Sequence, residues 1–339
     1  MIKKDIYNLS FDELGKFIVK ISAQKFRTKQ IFEWLYKKGV QDFEQMLNIP
    51  GELRDKLREH FYSGKLLPKN QLLSEDDTEK VVFELKDKHY IETVMIPVKN
   101  RNTLCISTQV GCKFSCAFCA SGKRGFGRNL TVGEILQQVM YFVFVKKYKI
   151  TNIVYMGMGE PLDNYENVTK SIQILNDANG LNFAARRITV STSGLVPMIE
   201  KLKSFKLQIN LSISLHAANQ TVRAKIMPIA KMYSLDQLVR AAIHYYEKTN
   251  RQITLEYILM KDVNDTNSDA SGLVDIAKKL KAKVNLIPYS PITKSTKLVP
   301  DAEAVQKFTD FLMKRHVTVT VRESKGKDIF AACGQLAGA

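Results

Sequence analysis

The feature that most constrains the fold is an alternation of β-rich and helical runs, which begins near Thr103 and continues to the last part of the chain. Short runs rich in β-branched and aromatic residues are separated by longer runs with helical periodicity. The predicted strands are TLCIST, NIVYMG, RITVST, QINLSIS, ITLEYILM and KVNLIPY. Neighbouring parallel strands require crossover connections of about a dozen residues or more, and the helical runs are long enough to supply them. The pattern therefore predicts an α/β fold with a parallel barrel or an open parallel sheet.

A helical unit is predicted before this alternation, over residues 1–75. Ser10 and Glu13 have the spacing of a capping box at the start of a first helix. A second helix is predicted to end near Gly39, and a third to begin after Pro50 with the run GELRDKLREHF. The unit is basic through Lys16, Lys20, Lys25, Arg27, Lys29, Lys37 and Lys38. We predict an accessory domain here, although solvated helix faces would explain any one of these lysines.

A β-hairpin is predicted to lead from this unit into the barrel. The runs KVVFEL and HYIETVMIP are rich in β-forming residues and are separated by a short charged turn. The predicted division is therefore a helical domain over residues 1–75 and a core over residues 76–339. The core includes the hairpin, the barrel and a C-terminal segment that contains AACGQL.

The charge balance points to a polyanionic partner. Lys and Arg outnumber Asp and Glu by 51 to 34, which gives a formal net charge of +17. Basic proteins gain affinity for nucleic acids because neutralised phosphates release counterions. A protein that merely has a high isoelectric point remains the alternative. No run approaches the roughly 20 apolar residues of a membrane span, and the N-terminus lacks a secretory apolar region. We expect a cytosolic protein that does not enter a membrane.

The strongest chemical signal is the motif GCKFSCAFCASG, in which Cys112, Cys116 and Cys119 form a CxxxCxxC pattern. In a cytosolic chain such cysteines indicate metal or redox chemistry more often than structural disulfides. Three thiolates on one loop can ligate three irons of a [4Fe–4S] cluster, which leaves the fourth iron open to a small molecule. A zinc site is the alternative, but it usually has a second CxxC or a HxxxH pair, which this chain lacks.

Several polar residues fall at one end of the predicted strands. Cys112, Glu160, Ser191, Ser214 and Ser290 all lie at or just after predicted carboxyl ends. Ligands and catalytic groups of α/β barrels gather at that rim. The serines could instead be strand-end caps, so their position alone does not assign them a role.

Four other residues are ambiguous when they are considered on their own. Cys105 lies within a predicted strand and is typical of a buried core thiol. Cys333 lies among small residues that allow a close approach of the backbone. Glu92 lies between Ile91 and Thr93 on a predicted strand, so its side chain would point to the opposite face from theirs and would face solvent. His216 is typical of a core histidine with satisfied hydrogen bonds.

The CxxxCxxC motif followed by the glycine-rich strand end GMGE resembles the radical S-adenosylmethionine (SAM) superfamily. In that superfamily the open iron chelates the amino and carboxylate groups of SAM. Electron transfer then cleaves a C–S bond and generates the 5′-deoxyadenosyl radical. The resemblance implies a partial (βα)6 TIM-like barrel, a [4Fe–4S] cluster held by the three motif cysteines, and SAM as cofactor.

A closer resemblance is to the RlmN-type methyltransferases, which modify adenine C2 in 23S rRNA. The shared motifs are IETVMIP, CISTQVGCKFSCAFCASG, GFGRNLTVGEI, GMGEPLDNYENV, RRITVSTSG, SISLHA, VNLIPYSP and DIFAACGQLAG. The resemblance implies an RNA substrate in the peptidyl transferase centre and, in some members, a tRNA adenine beside the anticodon. It also implies an electron donor such as flavodoxin or ferredoxin, and it assigns the helical domain to RNA binding.

The resemblance also implies a set of SAM contacts. Gly159 and Glu160 would contact the methionine end, while Ser191 and the segment Ser214–His216 would hold the ribose and carboxylate. The family usually has asparagine where this chain has Ser290, so a backbone contact is expected there rather than a side-chain contact. The implied residues are Gly159, Glu160, Ser191, Ser214, Leu215, His216 and Ser290.

Two cysteines and one glutamate acquire catalytic roles by the same resemblance. Cys333 would accept a methyl group from one SAM, and the radical from a second SAM would abstract hydrogen from that methyl. The resulting carbon radical would add to adenine, whose C2 is too electron-poor for ordinary attack on a sulfonium methyl. Glu92 would remove the ring proton. Cys105 would attack the Cys333 sulfur, which forms a disulfide and releases the base.

Three other functions compete with this one. The related adenine-C8 methyltransferases share the cysteines and the glutamate, but GFGRNL and GMGEPLDNY resemble the C2 group more closely. A non-catalytic iron–sulfur RNA-binding protein would not need Cys105, Cys333 and Glu92 together. A glycyl-radical activating enzyme acts on protein and has no use for a basic helical domain.

Overall fold

The computed structural model describes residues 3–337 and shows an α/β fold around one large sheet. The strands are β1 (Lys4–Asp5), β2 (Phe61–Tyr62), β3 (Leu67–Leu73), β4 (Glu79–Glu84), β5 (Tyr90–Val98), β6 (Arg101–Cys105), β7 (Gln109–Gly111), β8 (Phe126–Asn129), β9 (Asn152–Tyr155), β10 (Ile188–Thr192), β11 (Asn210–Ser214), β12 (Thr254–Leu259), β13 (Lys283–Pro288) and β14 (Val319–Val321). The α-helices are α1 (Phe11–Lys20), α2 (Arg27–Tyr36), α3 (Gly51–His60), α4 (Ala120–Lys123), α5 (Val132–Met140), α6 (Tyr165–Asn176), α7 (Val196–Leu202), α8 (Gln220–Ile226), α9 (Leu235–Thr249), α10 (Asn267–Lys279) and α11 (Ala302–Met313).

The central sheet has the strand order β14-β13-β12-β11-β10-β9-β6-β5-β4-β3. The strands β6 and β9 to β14 pair in parallel and follow one another in chain order, with helices in the connections. This is the arrangement of a partial (βα) barrel, so the predicted fold class is confirmed. All six predicted parallel strands are present. The short edge strand β14 was not predicted, because three residues are too few to show the alternation of apolar and polar residues that identifies a strand.

The predicted hairpin is also confirmed, and it widens the sheet. β4 pairs antiparallel with β5, with Glu79 opposite Met95, and β5 pairs antiparallel with β6. β3 adds an outer antiparallel strand that was not predicted. Its residues are almost all exposed, so LPKNQLL lacks the apolar alternation that identifies a half-buried strand. Pro68 and Lys69 are residues that commonly protect such an edge.

The N-terminal unit contains the three predicted helices and packs against the barrel. Ser10 Oγ accepts a hydrogen bond from Glu13 N, and Glu13 Oε2 accepts one from Ser10 N, so the predicted capping box is present. Gly133 N, at the start of α5, donates to Asn8 Oδ1 at 2.7 Å. The buried apolar residues of the unit and of the barrel form one continuous core. The domain boundary at residue 75 stays a prediction.

None of the helices within residues 3–337 is both long enough and apolar enough to cross a bilayer.

Candidate active site

The motif cysteines lie on a loop that connects β7 to α4 and is held at several points. Cys112 N donates to Gly125 O at 3.0 Å, which joins the loop to the strand that follows α4. Ala117 N donates to Ile226 O at 2.9 Å, which joins it to the end of α8. The loop therefore has a defined position at the barrel rim before any cofactor is considered.

Glycines determine how tightly this loop can fold. Gly111 has φ +69°, and a Cβ there would lie 1.7 Å from Gly125 O. A Cβ at Gly122 would lie 2.9 Å from Ser115 Cα. No other residue fits either position without backbone movement, so these glycines in the motif serve the geometry of the loop.

The three cysteines suit an iron–sulfur cluster. Burial raises the pKa of Cys112 to about 12 and also raises that of Cys116, and neighbouring thiols add to both effects. Thiolates in such surroundings require cationic partners, which the irons of a cluster supply. Among the described residues no three His, Cys, Asp or Glu side chains converge on a single ion, whereas cluster thiolates bind separate irons. Cys119 lies on the same loop and could be a third donor.

The GMGE segment connects the ends of two strands. Gly159 has φ +99°, and a Cβ there would lie 2.5 Å from Gln109 Cβ, so the position requires glycine. The buried Glu160 carboxylate accepts hydrogen bonds from Ser193 N at 2.7 Å and Leu162 N at 3.1 Å. Burial raises the pKa of Glu160, and the Ser193 amide opposes that rise. Glu160 thus joins β9 to β10 and keeps lone pairs for a further donor.

Gln109 is a positioning residue that was not predicted. Its Oε1 accepts from Glu160 N at 2.8 Å, while its Nε2 donates to Asn129 Oδ1 and Asp163 Oδ2 at 2.7 and 2.6 Å. Every polar atom of the buried amide is used. Its position three residues before Cys112 indicates that it lies near the cysteine motif, but the sequence of the motif does not indicate a contact with Glu160.

The predicted SAM-contact residues of β10 and β11 lie side by side. Ser191 Oγ and Ser214 Oγ are 3.5 Å apart on adjacent parallel strands, and Leu215 is buried directly after them. His216 Nδ1 accepts a hydrogen bond from Ile258 N at 3.0 Å. Burial lowers the pKa of His216 to about 3, so the ring is neutral at physiological pH. The His216 side chain thus has the bonding of a core histidine.

Ser290 follows β13 and is buried at the same rim. Its hydroxyl donates to Ser324 Oγ at 3.0 Å, so the side chain is engaged within the protein. The structure therefore places Glu160, Ser191, Ser214 and Ser290 at or after the carboxyl ends of four barrel strands, β9, β10, β11 and β13, as predicted.

Cys105 and Cys333 are far apart in sequence but lie close enough in the structure to interact electrostatically. Cys105 ends β6 and is 8% exposed, and burial followed by the nearby Cys333 raises its pKa to about 12. The segment that carries Cys333 lies against the cluster loop, since Ala120 N donates to Gly334 O at 2.7 Å. All five cysteines are free thiols.

Arg322 interacts electrostatically with both of these cysteines and was not predicted. Attraction to Cys333 is the largest cause that raises the pKa of Arg322; burial opposes it, and Glu256 and Cys105 add smaller attractions. The same guanidinium partly offsets the effect of burial on Cys105. Its Nη1 also lies 3.9 Å from Met156 Sδ. Arg322 therefore places a cation where a thiolate would form.

Glu92 is buried, unlike the solvent-facing residue that strand alternation alone would suggest. It is 3% exposed because β5 lies between β4 and β6 and is covered on both faces; Ile91 and Thr93 are buried too. Lys80 Nζ lies 3.7 Å from Glu92 Oε1, and the same ammonium donates to Phe330 O at 3.1 Å. Lys80 thus connects Glu92 to the segment that carries Cys333.

The fold and this loop define a class of protein. A partial parallel barrel with a three-cysteine loop and a glycine-rich strand end is the arrangement of a radical SAM enzyme, and the model of the radical SAM superfamily matches residues 106–271. The model of the ribosomal RNA large subunit methyltransferase N-terminal domain matches residues 4–62.

Full-length relatives identify the family. The probable dual-specificity RNA methyltransferase RlmN of Clostridium novyi is 44% identical, over 98% of this chain and 97% of its own. The corresponding protein of Nautilia profundicola is 41% identical over 99% and 98%. The crystal structure of a radical SAM methyltransferase from Sphaerobacter thermophilus has a TM-score of 0.94 and 38% identity, over 99% of this chain and 100% of that one. The chain belongs to the RlmN family of radical SAM methyltransferases, whose cofactors are a [4Fe–4S] cluster and SAM.

Proposed function

We propose that this protein methylates C2 of an adenine in 23S rRNA, and of a tRNA adenine, in the cytoplasm. The observation that carries the proposal is the convergence of Cys105 and Cys333 beside Arg322 and the cluster loop. A radical SAM enzyme that only cleaves SAM has no need of two further cysteines there. The relatives are named dual-specificity RNA methyltransferases, which supports two kinds of RNA substrate.

The cofactor-binding residues follow from the donor set. We assign Cys112, Cys116 and Cys119 to the cluster, since they share one loop at the rim. When bound, the cluster and SAM supply a carbon-centred radical. Glu160 has lone pairs left for an ammonium group, and Gly159 allows close approach of the backbone. The segments at Ser191, Ser214 to His216 and Ser290 complete the SAM site from the next strands.

Cys333, Glu92 and Cys105 each carry out one step of the methyl transfer. Cys333 carries the methyl group as a thioether and becomes joined to the RNA base through that carbon. Glu92 accepts the proton lost from the base, in surroundings that exclude water. The adduct gives up its unpaired electron, which the cluster would take back when bound. Cys105 then attacks the Cys333 sulfur, so that an S–S bond forms as the bond between that sulfur and the methylene carbon breaks; the carbon keeps the electron pair and takes up a proton to become the methyl group of the product. Arg322 partly offsets the effect of burial on the pKa of Cys105 and so favours the thiolate of that residue.

The basic charge of the chain supports an RNA partner. Its net charge of +17 favours phosphate binding, and the target adenine must be unstacked to reach a site at the barrel rim. Loops and single-stranded elements of RNA meet that requirement at the lowest energetic cost. We assign residues 1–75 to RNA binding and propose a flavodoxin- or ferredoxin-like protein as the electron donor.

The test is anaerobic reconstitution with iron, sulfide, SAM and a one-electron reductant, followed by reaction with rRNA fragments and tRNA. Digested RNA is analysed by mass spectrometry that separates 2-methyladenosine from 8-methyladenosine. We expect 2-methyladenosine in both RNAs, and none with Cys333→Ala. Production of 8-methyladenosine would assign the C8 activity instead. Tight RNA binding by a protein that has an intact cluster but neither cleaves SAM nor methylates RNA would indicate a non-catalytic RNA-binding role.

A further inference from the structure

One arginine is buried directly beneath the cluster loop. Arg223 lies on α8 and is 1% exposed. Its Nε donates to Leu215 O at 3.1 Å, and its Nη2 donates to Ser193 O and Ser214 O at 2.7 and 3.2 Å. These carbonyls belong to the segments that follow β10 and β11. Arg223 therefore holds together two strand ends of the proposed SAM site.

The charge of Arg223 has no carboxylate partner. Within residues 3–337 no Asp or Glu forms an ion pair with it, and its three acceptors are neutral carbonyls. Burial lowers the pKa of Arg223 to about 10, which still leaves it cationic at neutral pH. A buried charge without a counter-charge is costly, because hydrogen bonds to neutral groups only partly replace its hydration.

A motif cysteine interacts electrostatically with this charge. Cys116 is the neighbour whose negative charge would stabilise the Arg223 cation. The same helix is bonded to the cluster loop through Ile226 O and Ala117 N. Cys116 and Cys119 also pack on an apolar cluster that includes Ile226 of α8. The position of the cation relative to the loop is thus held by backbone bonds and by packing.

We propose that Arg223 is the counter-charge of the iron–sulfur centre and that its cation favours the one-electron reduction on which SAM cleavage depends. The inference rests on the assignment of Cys116 as a cluster ligand. Reduction adds one negative charge to the cluster, and the electron comes from a low-potential one-electron donor. A nearby cation stabilises the more negative state more strongly, and burial limits screening by water. Arg223 acts through the centre and the strand ends, so it is a positioning residue.

Two substitutions separate the charge of Arg223 from its hydrogen bonds. Arg223→Gln keeps donors for the carbonyls but removes the charge, whereas Arg223→Lys keeps the charge but changes the donors. Arg251→Gln is the matched control, because Arg251 donates to Asn210 Oδ1 at the start of β11, the opposite end of the strand from the site.

The experiment is a potentiometric titration of the reconstituted proteins, monitored by electron paramagnetic resonance, without SAM or RNA. At a fixed potential we expect the ratio of reduced to oxidised cluster in Arg223→Gln to fall about tenfold, which corresponds to about 59 mV for one electron. Arg223→Lys should keep most of the wild-type ratio, and Arg251→Gln all of it.

Two results would overturn the inference. One is a wild-type ratio in Arg223→Gln at full iron content, which would leave Arg223 with a hydrogen-bonding role alone. The other is loss of the cluster from both Arg223 variants, which would assign it to folding of the loop. Loss of the cluster from the wild type would contradict the proposed cofactor site instead, and RNA methylation is measured separately from all of these.

Discussion

At the scale of single residues, the two non-ligand cysteines differ in what surrounds them. Cys105 is a buried strand residue whose pKa is raised to about 12, mainly by burial, while Cys333 lies on a segment without regular structure, beside the cluster loop. Arg322 faces both. The proposed chemistry needs this difference, because one sulfur must take up a methyl group and the other must react only after the RNA adduct has formed.

The high pKa of Cys105 predicts how adduct release depends on pH. Its reactive thiolate is a minor species at neutral pH, and well below the pKa its fraction rises about tenfold for each pH unit. Release of RNA in a single turnover should therefore accelerate about tenfold per unit between about pH 7 and pH 9. Denaturing gels of quenched samples measure it. Arg322→Gln should slow release at each pH, because this guanidinium lowers the pKa of Cys105. A rate that does not change over this range would mean that Cys105 thiolate formation does not limit release.

Separate substitutions of the two cysteines should stop the reaction at different steps. Cys333→Ala should form no protein–RNA adduct, since no sulfur carries the methyl group. Cys105→Ala should start the reaction and stall with RNA attached through Cys333. The measurement is a denaturing gel before and after nuclease treatment, in which only Cys105→Ala should give a slow, nuclease-sensitive band. Normal turnover by Cys105→Ala without an adduct would show that Cys105 is a core thiol.

At the scale of elements, the cluster loop depends on backbone contacts that leave no space for a side chain. Gly111 combines a positive φ with direct contact against the carbonyl of Gly125. Gly334, next to Cys333, has φ +84°, and a Cβ there would lie 2.8 Å from Phe118 O. The cluster loop and the C-terminal segment are therefore packed backbone to backbone.

Gly111→Ala should therefore destabilise the loop. We expect the free energy of unfolding to fall by about 1–3 kcal/mol, the usual range for backbone strain of this kind, together with lower iron content after reconstitution. Chemical denaturation and iron analysis measure the two effects. Gly15→Ala is the control, because a Cβ on α1 would make only ordinary contacts with Thr28, and alanine favours a helix. Equal stability of the two variants would contradict the close packing at Gly111.

At the scale of the whole molecule, the positive charge is spread over more than one unit. The N-terminal helices have exposed lysines at positions 16, 20, 25, 29, 37 and 38. This unit shares a continuous core with the barrel and is bonded to it through Asn8 and through an ion pair between Lys170 and Glu13 at 2.6 Å. Point substitutions are thus a better test of its role than removal of the unit, which would expose the core.

Neutralising Lys25 and Lys29 together should weaken RNA binding and reduce its dependence on salt. Each lost phosphate contact lowers the slope of log affinity against log salt concentration by about one. Fluorescence anisotropy with a labelled RNA fragment at several salt concentrations measures it. The control is Lys278→Gln with Lys279→Gln on α10, which removes the same charge from another exposed surface. If both pairs changed the slope equally, the effect would come from net charge rather than from the N-terminal unit.

Much of the fold could be predicted from sequence because its signals are local. Strand and helix periodicity, the capping box at Ser10 and the helix start after Pro50 depend on residues a few positions apart. The exceptions were β3 and β14. β3 is an exposed edge strand and β14 is very short, so neither has the alternation of apolar and polar residues by which a strand is recognised. The cluster loop was also local, since its three cysteines lie within eight residues, 112 to 119.

Sequence patterns suffice to identify the α/β class, the family and the residue types of the site, whereas the pairing of those residues depends on tertiary packing. Glu92 is buried against Lys80 because β5 became an inner strand. Arg322 meets Cys105 because parallel strands bring carboxyl ends together from distant parts of the chain. Arg223 is buried on α8, which is bonded to the cluster loop, and it forms no ion pair with a carboxylate of residues 3–337; no pattern around α8 indicates this placement. Periodicity reports which face of an element is apolar, but the electrostatic partners of a buried charge depend on which elements pack together.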